Sequence, residues 1–350
     1  MSKLPRQPVD YVLYISCLTV VYYIIYGIMR LTPEDWNERK SNLKNINWME
    51  NKEMWRIHEK YNSPGITSDI TIVTAYFDIG TFQKDGRGTY TPNKFKKWME
   101  SIKRIENPLI VFTDSQEIVE KVKELRQGFC ENETQIYLVS RNDLWAFKIA
   151  PEIKDVMSQE NYPKHYPNTV NENYSSCMHV KFELIAKVIE ENLADTKFVS
   201  WMDIGLYRFV AWEKNKFKLT LPPDFDSTKI AYNEIKAHYS SSTIEDIITD
   251  NLVWVGGGLF VGKTDLMYVH CIDYMKSVTK MLELKWISTD QQVLYSMYLP
   301  NFPLRPRVEI QVYTTHSMDD WYHLANVLKD THEIKTRQVK TVSFYFLQYL

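Results

Sequence analysis

The chain has 350 residues, 44% of them apolar, and a net charge of −2. That is material for a large core in one or two domains, and it excludes a global field that would draw the protein to nucleic acid or an anionic lipid surface. Cys17, Cys130, Cys177 and Cys271 are scattered without a close-spaced pattern, so no zinc site is expected and the thiols read as mostly free or buried.

Tyr11 to Met29 is a run without a charged residue, bounded by Asp10 and Arg30. At about 1.5 Å per residue such a run just crosses a hydrocarbon core of about 30 Å. A cleaved signal peptide would have a shorter apolar core and a small-residue cleavage site, which Gly27-Ile28-Met29 fits poorly. The expectation is a short tail (1–10), an uncleaved transmembrane signal-anchor (11–29) and a single-pass protein whose bulk lies in the lumen of the ER or Golgi. The basic residues do not favour a cytosolic N-terminus, because Lys3 and Arg6 precede the run and Arg30, Arg39, Lys40 and Lys44 follow it. The sequons at Asn132 and Asn173 are compatible with a luminal domain.

Thr32 to Ser68 is polar and reads as a stem (30–68), helical around Trp48 to Tyr61 and closed by Ser63-Pro64-Gly65. The globular part is expected from Asp69 to about residue 330, followed by a tail (331–350). Ile70 to Phe77 is β-rich and predicts the first buried strand, ended by Asp78-Ile79-Gly80. A charged loop holds Lys84, Asp85, Gly86, Arg87 and Gly88. Tyr90 to Ile105 has helical spacing, Leu109 to Thr113 reads as a strand, and Asp114 is the expected cap of a helix from Gln116 to Arg126. Gln135 to Val139 is a third strand, Ala150 to Glu160 a helix and Asn161 to Ser176 a loop.

The segment from His179 to Arg208 organises the rest. Phe182, Ile185, Ala186 and Ile189 recur at helical spacing. Phe198 to Met202 is then a compact apolar run with the length of a buried strand, ending at Asp203-Ile204-Gly205. A carboxylate at the carboxyl end of a buried strand is where open α/β sheets place ligands; it is equally a plain cap of a strand-to-loop turn. Lys229 to Tyr232 predicts a strand and Ile244 to Asp250 a helical piece. Val253 to Gly262 is a strand carrying Gly256, Gly257 and Gly258, which implies a bulge or bend, or close approach of a ligand or another backbone. Asp265 to Leu284 and Ser288 to Leu299 read as helices, with Ser288 or Thr289 as a cap and Asp290 in the first turn, where a carboxylate complements the helix dipole. His316, Asp319, Asp320 and His323 precede a last helix to Leu328. Strands alternating with helices imply an α/β fold, a mostly parallel sheet flanked by helices, with Asp78, Asp114 and Asp203 on its ligand side.

Together these stretches resemble a GT-A type glycosyltransferase, the Rossmann-like fold that uses nucleotide sugars. More narrowly, TIVTAYFDIG, the Arg87 to Tyr90 segment, NPLIVFTD, DLWAF, MHVKFE, SWMDIGLYR and GGLFVG resemble the HtrL/YibB-type (WlaTC-like) family. The resemblance implies a membrane-anchored enzyme transferring a sugar from a nucleoside-diphosphate sugar to a glycan or glycoconjugate acceptor. It implies Thr74, Ala75 and Tyr76 at the nucleotide, Arg87 and Lys181 at the diphosphate, Gly256 to Gly258 along the sugar and acceptor, and Asp290 as a catalytic carboxylate. The fold's Asp-x-Asp metal motif is here Asp203-Ile204-Gly205, without its second carboxylate. Two courses stay open: a divalent cation, Mn²⁺ or Mg²⁺, held by Asp203 with His316 or His323, or transfer without metal, Arg87 and Lys181 stabilising the leaving diphosphate. A base at the acceptor would give inversion of the anomeric centre, and its lack retention. The missing carboxylate also fits a catalytically degenerate binding protein of the same fold. A structural membrane protein whose domain mediates interactions is the third reading.

Overall fold

A computed structural model describes residues 56–58, 69–129, 133–315 and 321–329. The expected span at 11–29, nearly all of the stem, His316 and the tail beyond 329 lie outside the described residues. Among those described, no helix is long and apolar enough to cross a membrane.

Ten strands are described: β1 (Arg56–His58), β2 (Ile70–Tyr76), β3 (Phe82–Lys84), β4 (Gly88–Tyr90), β5 (Leu109–Thr113), β6 (Thr134–Leu138), β7 (Phe198–Met202), β8 (Ile230–Glu234), β9 (Val255–Lys263) and β10 (Ile310–Tyr313). Eight of them form one sheet in the order β1-β6-β5-β2-β7-β9-β8-β10, and β3 and β4 form a separate hairpin. β6, β5, β2 and β7 run parallel. β9 is antiparallel to both β7 and β8, β10 is parallel to β8, and β1 is antiparallel to β6. β5 and β7 are buried along their whole length, as a strand covered on both faces requires.

The helices are α1 (Pro92–Trp98), α2 (Gln116–Leu125), α3 (Trp145–Lys148), α4 (Ala150–Met157), α5 (Glu172–Glu190), α6 (Ile244–Thr249), α7 (Thr264–Glu283) and α8 (Asp290–Met297); residues 323–329 are also helical. One face of the sheet gathers Ile70, Ile72, Tyr76, Val111 and Met202 with Ile118, Val119 and Val122 of α2 and with Leu324 and Leu328. On the other face Phe182 of α5 stacks on Tyr274 of α7, centroids 3.4 Å apart, and lies 5.3 Å from Phe260 of β9. Side chains alternate along a strand. On β7, Met202 therefore joins the first cluster, while Trp201 and Asp203 share the α5 face.

Most expected elements stand where the pattern put them, with four differences. α5 starts at Glu172, inside the expected loop; Asn171 accepts from the Tyr174 N–H and caps it. This folds the Asn173 sequon into a helix whose Ser175 is fully buried. The helical reading of Trp48 to Tyr61 meets a strand at Arg56–His58, because these residues pair with the open edge of β6. The span Tyr90 to Ile105 divides into β4, α1 and a 3-10 turn at Met99–Arg104. The charged loop at Lys84 to Gly88 turns the β3–β4 hairpin, Gly86 and Gly88 taking φ of +65° and +76°. Of the cysteines, Cys177 and Cys271 are described, both as free thiols.

Candidate functional site

Asp203 follows the last residue of β7. Its backbone N–H donates to the Gly258 carbonyl at 2.8 Å, which ties the strand's carboxyl end to the glycine run. Its Oδ1 accepts from Trp201 Nε1 at 2.8 Å and lies 3.1 Å from Lys181 Nζ. The side chain is 43% exposed. Lys181, by contrast, is 2% exposed. Its Nζ donates to Asp290 Oδ2 at 2.9 Å and to the Gly257 carbonyl at 2.9 Å. Three elements distant in sequence thus meet on one ammonium: the middle of α5, the end of β7, and the start of α8.

The glycines have a mechanical reason. A Cβ on Gly257 would stand 1.9 Å from Asp290 Oδ2, so only glycine lets the buried carboxylate close on Lys181. The pairing of β8 with β9 shifts between Tyr232 and Asn233, and the unpaired residues of β9 opposite that shift include Gly257 and Gly258. The expected irregularity is present, but the group that approaches closely is the Asp290 side chain, neither a ligand nor another backbone. At the N-cap of α8, the Thr289 hydroxyl and N–H donate to Gln292 Oε1, leaving Asp290 in the first turn, where the helix dipole favours its charge.

Burial alone would discharge Lys181, but Asp203 and Asp290 together outweigh it and hold the ammonium above the ordinary lysine range. Lys84, at the end of β3, is half-buried and experiences the opposite balance. Burial first, then the repulsion of Arg87, press it below the usual range, against attraction from Asp203 and Asp290. It donates to the Tyr174 hydroxyl at 3.3 Å, and its Nζ lies 5.7 Å and 5.9 Å from the rings of Tyr90 and Tyr174. Cys177, one turn before Lys181 on α5, has its thiol pushed up to about 12 by burial.

Of the residues singled out in the sequence, Lys181, Asp203, Asp290, Gly257 and Gly258 come together, while Arg87 is exposed against Trp321 and acts on the cluster only by repelling Lys84. Ala75 is partly open at the end of β2. Thr74 is placed differently: strand alternation puts it on the face of Ile72 and Tyr76, opposite Asp203, where it is fully buried. Tyr76 packs 5.9 Å from Phe95 on that same face. Gly256 faces Ile235. Asp290, expected as a catalytic carboxylate, is 3% exposed and paired to Lys181. His323 begins the helical segment at 323, and His316 is outside the described residues. Lys84 and Tyr174, which the sequence did not single out for a site, also lie near this cluster. The signal for Lys84 was the Asp-Gly turn flanked by Phe82 and Tyr90, a hairpin pattern.

Within the described residues the donor set does not fit a divalent cation. Among the described residues no three His, Cys, Asp or Glu side chains are grouped to hold one. The two carboxylates that converge are already bridged by an ammonium, whose charge would repel a second cation placed between them.

The neighbouring carboxylates differ. Asp114, just past β5, is held by Arg141 Nε at 2.7 Å and accepts from the Asp78 N–H. It is a brace between strand ends, whereas Asp203 keeps an open side.

A family model described as a bacterial protein of unknown function, HtrL/YibB, matches residues 68–324. Protein HtrL of Escherichia coli (strain K12) is 26% identical over 217 residues, which cover 56% of this chain and 72% of that protein. Among solved structures, the apo form of mouse xyloside xylosyltransferase 1 overlaps 70% of this chain and 85% of its own, at 9% identity and a TM-score of 0.35, a likeness too loose to argue from. The family pattern takes in the β2, β5 and β7 ends, α5, the glycine strand and Asp290 alike, and the chain belongs to the HtrL/YibB family.

Proposed function

We propose that this protein is a GT-A-like glycosyltransferase, taking a nucleoside-diphosphate sugar and passing the sugar to a glycan or glycoconjugate acceptor. The observation that carries this reading is the half-exposed Asp203 at the carboxyl end of β7, locked through Lys181 to Asp290 and to the glycine strand. That is the edge of an α/β sheet where ligands bind, and the lock fixes a carboxylate there without freedom to reorganise. In such a transfer the bond from the anomeric carbon to the diphosphate oxygen breaks and negative charge develops on the leaving phosphate. The acceptor hydroxyl gives up its proton to a base within hydrogen-bond reach. Asp203 Oδ2 is the carboxylate oxygen of this cluster left open for that, and Asp290 is the group that positions Lys181. No step is routed through a metal.

The test uses the full chain and a panel of nucleotide sugars, read by thermal shift and by release of the nucleoside diphosphate. One donor is expected to raise the melting temperature and to be turned over, and Asp203→Ala to lower turnover by roughly 10²–10³. No shift with any donor removes the proposal. The burial of Asp290 and Lys181 favours a second reading, a binding protein without turnover; it predicts the shift without release. We also propose that the run from Tyr11 to Met29 anchors the protein with its domain in the ER or Golgi lumen. Protease protection of the domain in sealed microsomes supports this, and digestion without detergent overturns it.

A further inference from the structure

An ammonium has three N–H donors. Lys181 aims them at Asp203 Oδ1, Asp290 Oδ2 and the Gly257 carbonyl, so none is left for an incoming phosphate. The trio of one lysine and two carboxylates is also net negative, which repels an anion. The charge that a diphosphate needs must come from elsewhere.

Lys84 is placed to supply it. Among the described residues it forms no ion pair, and one tyrosine hydroxyl is its hydrogen-bond partner, at a long 3.3 Å. Tyr174 and Lys181 are seven residues apart on α5, two turns along one face and about 10 Å along the helix axis, and the Lys84 amine at the Tyr174 hydroxyl is near enough to feel the charges of Asp203, Lys181 and Asp290. Arg87, exposed at the turn of the same hairpin, stacks at 5.3 Å on Trp321. The hairpin is not loose: the Asp85 N–H donates to the Tyr166 carbonyl at 3.0 Å, and the Tyr166 N–H returns to Asp85 Oδ2 at 2.7 Å. A half-buried cation with no carboxylate in ion-pair contact, repelled by a second cation and on a braced support, is an arrangement that a doubly charged anion relieves.

We propose that Lys84, assisted by Arg87, forms a metal-independent anion site for the donor's diphosphate, and that Lys181 serves to hold the carboxylates rather than to touch phosphate. The proposal deepens the transferase reading and rests on it for the identity of the ligand, but not for the anion site itself.

The test titrates the full chain with inorganic pyrophosphate in EDTA by calorimetry. Wild type is expected to bind. Lys84→Met should weaken binding roughly tenfold or more, the loss of a charge-assisted contact, and Lys84→Arg should stay within about threefold. Lys263→Met, which removes an exposed lysine paired to Asp265, should change nothing. A thermal melt of each variant shows that it is folded, and Lys84→Gln serves if the methionine variant is not. Binding by Lys84→Met equal to wild type, or wild-type binding that appears only when Mn²⁺ is added, overturns the proposal. Pyrophosphate bound through Lys84 with no donor recognised from the sugar panel leaves the anion site standing and removes the transferase. A donor turned over equally by Lys84→Met does the reverse.

Discussion

Lys181 is worth more as a tie than as a charge. Removing it leaves Asp290 buried and without its cation, and breaking a buried pair from one side costs about 3–5 kcal/mol. The contact to Asp203 adds little to that, because Asp203 is half in solvent. Lys181→Met is therefore expected to lower the unfolding free energy by that amount in urea titrations, and Asp290→Asn on top of it to recover part of the loss. If the double variant is no more stable than the single, Asp290 is not the residue that Lys181 holds. A second expectation concerns the glycines. Gly257→Ala puts a methyl group 1.9 Å from Asp290 Oδ2 and should cost about 1–3 kcal/mol. Gly258→Ala meets Leu206 at 3.3 Å and Asp203 Oδ2 at 3.6 Å and should cost less. Equal losses in paired melts would mean that the strand tolerates neither for a backbone reason, not because of Asp290. The sequence shows the glycine run plainly. It does not show that the group pressing on it is a carboxylate more than thirty residues later, because that contact exists only once α8 is docked.

α5 is the element through which the site is built, and one of its residues makes it pH-sensitive. Glu183 is buried and accepts the N–H groups of Trp145 at 2.7 Å and Ala146 at 3.1 Å, capping α3. The two sequence stretches DLWAF and MHVKFE are thus halves of one interaction. Burial pushes the Glu183 carboxyl up to about 7, against those two hydrogen bonds. Between pH 4.5 and about 7 the folded protein keeps a proton that the unfolded chain has released. The stability this group gives is present below pH 4.5 and is lost as pH rises through about 7, by roughly 3 kcal/mol. His179 and His270, pushed down to about 3 and about 4 by burial, act in the opposite sense, losing stability as pH falls below 6.5. The useful measurement is therefore the difference between wild type and Glu183→Gln. Wild type should lose stability relative to the variant from pH 5 to pH 8; a constant difference means that Glu183 is ionised throughout. Helical spacing made the body of α5 legible from Phe182 to Ile189. Its first turns read as a loop because Asn171, Asn173 and the paired serines are poor interior helix formers, and the Asn171 cap and the burial of Tyr174, Ser175 and Ser176 override that preference.

At the scale of the whole molecule, the parallel strands were legible because a strand buried on both faces has to be a continuous apolar run. What the runs could not give is which face each residue takes relative to a distant partner, and Thr74 went to the wrong side for that reason. β3, β4 and β10 are three or four residues long, too short for a periodic signal. β1 was missed differently, since its reason to be a strand is the free edge of β6 rather than anything in its own residues. That makes the domain's beginning a matter of sheet edges. β6 is pleated against β5 on one side and, without β1, would present unpaired N–H and C=O groups on the other, a template for pairing with a second chain. Three residue pairs are lost, and at about 0.5–1.5 kcal/mol net for each hydrogen bond a cut before Asp69 should cost on the order of 1–3 kcal/mol. A chain beginning at residue 69 is expected to melt lower than one beginning at residue 54 and to self-associate in size-exclusion chromatography as its concentration rises. If the two melt together and both run as the same species, β1 contributes nothing to the fold, and the domain begins at Asp69, where the sequence alone had put it.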